Sequence, residues 1–87
     1  MTETEYLCLT FMEEATEVAH AMSKVLRFTK HDSHTIGGPS NLDVLEKEFN
    51  ELLALKAMLV EKGILIRNRP EIQAMKIDRV NSYVTIS

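Results

Sequence analysis

The chain has 87 residues, room for one small domain over residues 1–87. Its 45% apolar and 26% charged residues are an ordinary globular balance, and a net charge of −3 argues against a nucleic-acid-binding surface while leaving open a small phosphorylated ligand carried with a metal ion. The single cysteine, Cys8, rules out an internal disulfide, no apolar run reaches the length of a membrane span, and the acidic start Met-Thr-Glu-Thr-Glu is unlike a secretory signal, so the expectation is a soluble cytoplasmic protein without a membrane partner.

Residues 3 to about 28 read as one amphipathic helix. Thr2 or Thr4 can serve as its N-cap, and Glu3 and Glu5 suit the first turn. Leu7, Phe11, Glu14, Val18, Met22 and Val25 fall on one face, so a carboxylate stands where the pattern calls for an apolar side chain. Glu17, three residues on, points the same way. Lys24, Arg27 and Lys30 gather where cations suit the helix dipole. Lys24 is also seven residues after Glu17, on its face, and can hold a phosphate there. His20 reads as a partly exposed structural histidine.

Residues 29–40 lack periodicity and end in Gly-Gly-Pro-Ser, a loop. His31, Asp32 and His34 lie close together in it, but a short loop makes a poor metal cage. Gly37-Gly38 has neither the following Lys-Ser/Thr nor the preceding strand of a P-loop. Residues 41–62 form a second helix, with Ser40 and Asp43 placed as a capping box and Gly63 as the stop. Its core stripe, Leu45, Glu48, Leu52, Leu55 and Leu59, again includes a carboxylate, and Glu51 follows it by three. Asp43, Glu46, Lys47, Lys56 and Glu61 form a solvated face.

Ile64-Leu65-Ile66 is expected to pack a connection against the bundle. Pro70 opens a third helix running to about residue 84, with Ile72, Met75, Val80 and Tyr83 as a ragged apolar stripe. Lys76 and Arg79 are three apart and share a face. Residues 84–87 are expected to be a loose tail. The fold class is therefore all-α: an antiparallel bundle of two long helices plus a shorter third, completed by forming a homodimer or homotetramer, because three such helices leave apolar surface uncovered.

Two helices with inward glutamates at i and i+3 can meet face to face. Glu14, Glu17, Glu48 and Glu51 would then converge on one point, a site for a hard divalent cation such as Mg2+. Burying carboxylates without a partner is costly, which is why a cation is expected there.

Glu13-Glu14-x-x-Glu17 followed by Glu48-x-x-Glu51 resembles the paired motif of the MazG-like, all-α nucleoside triphosphate pyrophosphohydrolases, whose pattern is EExxE, a spacer, then ExxD. Phe11-Met12-Glu13-Glu14, Glu17-Val18, Ser23-Lys24-Val25-Leu26-Arg27-Phe28 and Glu48-Phe49-Asn50-Glu51-Leu52-Leu53-Ala54 look like the small phage-encoded members. The similarity covers residues 6–63, and more weakly Lys76 to Tyr83. This chain departs from the pattern in having Glu51 for Asp, one methylene longer, and a longer spacer from residue 18 to residue 47.

The resemblance implies hydrolysis of a nucleoside triphosphate, or a deoxynucleotide, between its α- and β-phosphates, giving a monophosphate and pyrophosphate. It makes Glu14, Glu17, Glu48 and Glu51 the catalytic and metal-binding residues, with Mg2+ as cofactor and Mn2+ as the alternative. Lys24, Arg27, Lys76 and Arg79 become the substrate-binding cations, and a phage member would work in the host cytoplasm. The competing readings are a protein on the same scaffold that sequesters a nucleotide without turnover, or a helical interaction module. In a plain structural dimer the glutamates would pair with Lys and Arg.

Overall fold

The computed structural model describes residues 1–33, 35–64 and 66–84. Among them the chain forms α1 (Glu3–Phe28), α2 (Asn41–Glu61) and α3 (Pro70–Tyr83) and no strand; Ser33 and Ser40 make one isolated antiparallel bridge. Each long helix starts at a reciprocal cap. Glu5 N donates to Thr2 Oγ1 at 3.0 Å, and Thr2 N donates to Glu5 Oε1 at 3.1 Å. Thr4 could not do this, because Leu7 stands three residues after it. Asp43 N donates to Ser40 Oγ at 3.1 Å, and Ser40 N to Asp43 Oδ2 at 3.2 Å. Asp43 thus caps α2 and is more than a solvated charge.

Helix α2 ends in a Schellman motif. Gly63, at φ 92, takes the left-handed position; its N–H reaches the Val60 carbonyl at 3.1 Å, and Ile64 N reaches the Leu59 carbonyl at 3.0 Å.

The two long helices form an antiparallel hairpin. Lys62, just past the end of α2, pairs with Glu3 at the start of α1 at 3.0 Å. At the other end Asn41 Nδ2 donates to the Thr29 carbonyl at 2.9 Å. The loop between them is pinned to α2 by the helix's own unpaired donors. Asn41 N donates to the Asp32 carbonyl at 2.7 Å and Leu42 N to the Lys30 carbonyl at 3.0 Å. Thr29 sits at φ 89, a strained place for a β-branched residue. At the loop tip Gly38 N donates to the Thr35 carbonyl at 2.9 Å, and Gly37, at φ 76, supplies the positive φ that a type II turn needs.

The seam between α1 and α2 buries Leu7, Ala21 and Leu59, with Phe11, Val18, Val25, Leu45, Leu52 and Leu55 half-buried around them. Met22, expected on the inner face, is exposed, and Ala21 takes its place. Positions 21 and 22 straddle the seam two turns after Glu14, and alanine lets the helices approach more closely.

The third helix departs further from expectation. Every residue of α3 is exposed, and α3 packs against neither α1 nor α2, so within one chain the bundle has two helices and an arm. Ile64 and Ile66 are 36% and 40% exposed, so the connection is only partly covered. Leu65 and the tail residues 85–87 lie outside the described residues. The shape is open: the molecule measures 41 × 38 × 16 Å, and its radius of gyration of 16.1 Å exceeds the roughly 12 Å of a compact chain of this length.

So small a core makes each member count. Leu59→Ala is expected to lower the unfolding free energy by roughly 2–5 kcal/mol, the usual range for a buried leucine. Urea denaturation followed by circular dichroism measures it; a loss within error of zero would show that the seam is not the core.

Candidate metal centre

The hairpin registers the two anomalous stripes opposite each other. Glu14 and Glu17 from α1 and Glu48 from α2 each offer a carboxylate oxygen, and these oxygens all lie within 4.8 Å of one another. Glu14 is only 9% exposed, Glu48 is half-buried and Glu17 stands at the open edge. Glu14 Oε1 and Glu48 Oε2 are buried, and no donor among the described residues reaches either. Orphaned acceptors of this kind are rare in folded proteins and call for an explanation.

Like charges this close cannot all remain ionised. Glu14 is pushed up to about 7, first by sharing a proton with Glu48, then by burial, then by the negative charges of Glu48, Glu17 and Glu51. Glu17 is raised for the same leading reason, its hydrogen bond with Glu48. Glu48 is lowered, first by its hydrogen bond with Glu14, then by the one with Glu17 and the nearby charge of Lys47. A proton shared between Glu14 and Glu48 would relieve the same repulsion that a cation would relieve. The cluster's donors are all oxygen, two of them unpartnered, which suits a hard divalent ion that keeps further positions for water or phosphate. Glu14, Glu17 and Glu48 can hold such an ion.

Glu51 is not among them. It is exposed, and its Oε1 lies 3.7 Å from Lys47 Nζ, an i,i+4 pair on the outer side of α2. The expected four-carboxylate convergence is therefore three, with Glu51 contributing only its field to Glu14 and Glu17. Lys47 also lies 3.9 Å from Glu48 Oε1, but its side chain is exposed and no cation meets Glu14 among the ion pairs of the described residues.

The expected phosphate-binding cations divide. Lys24 borders a cleft of about 350 Å³ with Glu17, His20, Ala21, Val44 and Glu48, so it faces the same space as two of the carboxylates. It also borders a second cleft of about 250 Å³ with Phe28, Asp32, Ser33 and Asn41. Arg27 is exposed and lies over the Phe28 ring, 5.1 Å from its centre. Lys76 and Arg79 are on α3 and are not brought to the carboxylates within one chain, because α3 packs on neither long helix.

Sequence reasoning passed over two lining residues. His20 follows Glu17 by three, the same spacing that picked out Glu17 itself. Asn41, buried at the start of α2, carried no periodic signal. Of the loop histidines, His34 lies outside the described residues; among those described, Glu14, Glu17 and Glu48 are the group with metal-ligand spacing.

No family model, no curated protein and no solved structure matches this chain.

The Glu14 shift has a readable consequence for stability without metal. Its folded pKa lies above the ordinary 4.5, so the native state holds a proton that the unfolded state releases, and stability falls as pH rises from 4.5 through about 7. The lowered Glu48 acts oppositely and withdraws its contribution on acidification. The melting temperature in EDTA is expected to drop across the Glu14 window, and Glu14→Gln or an added divalent cation is expected to flatten that drop. A metal-free profile already flat from 4.5 to about 7 would contradict the shared proton.

Proposed function

We propose that this chain is a Mg2+-dependent nucleoside triphosphate pyrophosphohydrolase of the MazG-like kind, a cytoplasmic enzyme that works as a homodimer or homotetramer. A small phage-type member would act in its host's cytoplasm. The observation that carries this reading is the pair of buried, unpartnered oxygens, Glu14 Oε1 and Glu48 Oε2, on two members of a three-carboxylate cluster beside a cleft that also holds Lys24. Surplus negative charge in a seam, with a cation a short way along the same cleft, suits a phosphate ester delivered with its metal.

In the proposed reaction water attacks the α-phosphorus. The bond from that phosphorus to the α–β bridging oxygen breaks, and pyrophosphate leaves with the electron pair. Glu14, Glu17 and Glu48 would hold Mg2+, or Mn2+, which supplies Lewis acidity at the phosphate oxygens. Lys24, which lines the cleft, neutralises charge on the leaving group, and Arg27, stacked over Phe28 nearby, adds positive charge. Glu17, at the exposed edge of the cluster, is the carboxylate best placed to orient the incoming water. Glu51 keeps a place at the rim, held by Lys47.

A second reading is favoured by Glu51's position outside the cluster: with three convergent carboxylates instead of four, the chain binds a nucleotide without turning it over. Incubation with a panel of NTPs and dNTPs plus Mg2+, assayed for pyrophosphate, separates the two. Release from at least one nucleotide supports the enzyme; nucleotide binding without release from any of them moves the assignment to sequestration.

Three substitutions should have graded effects. Glu48→Gln is expected to abolish turnover with the fold intact. Lys24→Ala is expected to cost about ten- to a hundredfold in kcat/KM, the worth of one hydrogen bond to a charged group. Asp43→Asn, away from the cluster, is expected to change activity little. Independently of activity, Mg2+ at about 100 times its Kd should stabilise the wild type by roughly 2.7 kcal/mol. Equal damage from Asp43→Asn and Glu48→Gln would refute the assignment.

A further inference from the structure

Helix α3 is the element that its own chain leaves unexplained. At 3.6 residues per turn its side chains sort into two halves. One half carries Glu71, Ala74, Asp78, Asn81 and Ser82. The other carries Ile72, Met75, Ile77, Val80 and Tyr83, with Gln73, Lys76 and Arg79 set among them. Both acids are thus on the polar side and both cations within the apolar stripe. All of it is exposed, and α3 touches neither long helix. A stripe of this composition finds its seat on an apolar surface that also supplies negative charge.

Helix α2 has such a surface on its outer side. Phe49, Leu53, Ala57 and Val60 recur at helical spacing, all exposed, with Glu46 on the same face. Charge is distributed to match. Residues 64–84 carry four cations, Arg67, Arg69, Lys76 and Arg79, against the two acids Glu71 and Asp78, whereas residues 1–63 carry six cations against eleven acids. The arm is basic and the hairpin acidic.

Area argues for a second copy as the occupant. The chain exposes 7092 Å². A compact monomer of 9.9 kDa exposes about 5,200 Å². The surplus of roughly 1,900 Å² per chain gives roughly 3,800 Å² for a pair, inside the ~2,000–5,000 Å² range of obligate homodimers.

We infer that α3 is an exchange arm. It lies antiparallel along the outer stripe of α2 in a second copy and seats Ile72, Val80 and Tyr83 against Val60, Leu53 and Phe49, the basic arm against the acidic hairpin. The arrangement is reciprocal, each copy giving an arm and receiving one, so it closes as a two-fold dimer. It rests on the self-association proposed above and names the segment responsible. It also gives Lys76 and Arg79 a role apart from the substrate.

Light scattering at tens of micromolar, with circular dichroism as the fold control, tests it on the full chain. The wild type is expected as a dimer. Ile72→Glu with Val80→Glu on the arm, and separately Phe49→Glu with Leu53→Glu on the seat, should each give monomers with the hairpin's helicity retained, since all four positions are exposed. Lys76→Glu with Arg79→Glu, which reverses the charge of the basic arm, should weaken dimerisation at least tenfold. A monomeric wild type would overturn self-association and the arm together. An oligomer indifferent to the arm substitutions would overturn the arm while leaving self-association standing. Loss with the arm variant but not the seat variant, or no weakening by the charge reversal, would overturn the seat on α2.

Discussion

Carboxylate repulsion inside an apolar seam is the constraint on which the rest of the structure depends. Glu14 and Glu48 occupy stripe positions that leucines would fill at no electrostatic cost. The α1–α2 hairpin closes around them because Leu7, Ala21 and Leu59 bury beside them and because a shared proton cancels one charge. Burying unpaired charge normally costs several kcal/mol per ion, and a well-packed apolar replacement is often more stable. A chain with so little core keeps these two residues at the expense of its own stability. Functional sites are where such an expense is expected, and a bound cation would reverse the sign of the local interaction.

The parts around the seam serve its register. A slip by one residue would carry Glu48 away from Glu14, and the ends of the hairpin oppose such a slip. Lys62 with Glu3 marks one end, though an exposed ion pair contributes little by itself. The other end is held more firmly. Asn41 and Leu42 spend their N–H groups on loop carbonyls, Asn41's amide reaches back to Thr29, and Thr29 accepts a strained backbone to present that carbonyl. The same lock borders the second cleft, which shares Lys24 with the cleft beside the carboxylates.

Much of this was legible in the residues, and the limits have physical causes. The helices were readable because caps are local: Thr2 with Glu5, Ser40 with Asp43 and Gly63 each decide a boundary within a few residues. Glu14, Glu17 and Glu48 were readable because a charge interrupting an apolar period is visible without any partner. Glu51 was misjudged because spacing gives a direction and not a reach; Lys47, four residues before it, offers a nearer partner. Ala21 replaced Met22 because period alone cannot choose between two positions that straddle a seam. Asn41 escaped notice because its role depends on a loop folding back. Helix α3 was recognised as a helix, but which surface it covers is a question about distant contacts, on which local pattern is silent.

The hairpin's economy bears on how the chain acquires its structure. The core joins α1 to α2 across one connecting loop, and most other close contacts of the chain lie within single helices. Low contact order of this kind places a domain among fast folders, in the microsecond to millisecond range. Closing the loop costs entropy that grows only slowly with its length, and the capping boxes start both helices before they meet. The glutamate pairs are therefore brought together early, by the step that also forms the core. A newly made chain would be ready to capture a cation as soon as its first two helices had emerged, while the third was still being synthesised.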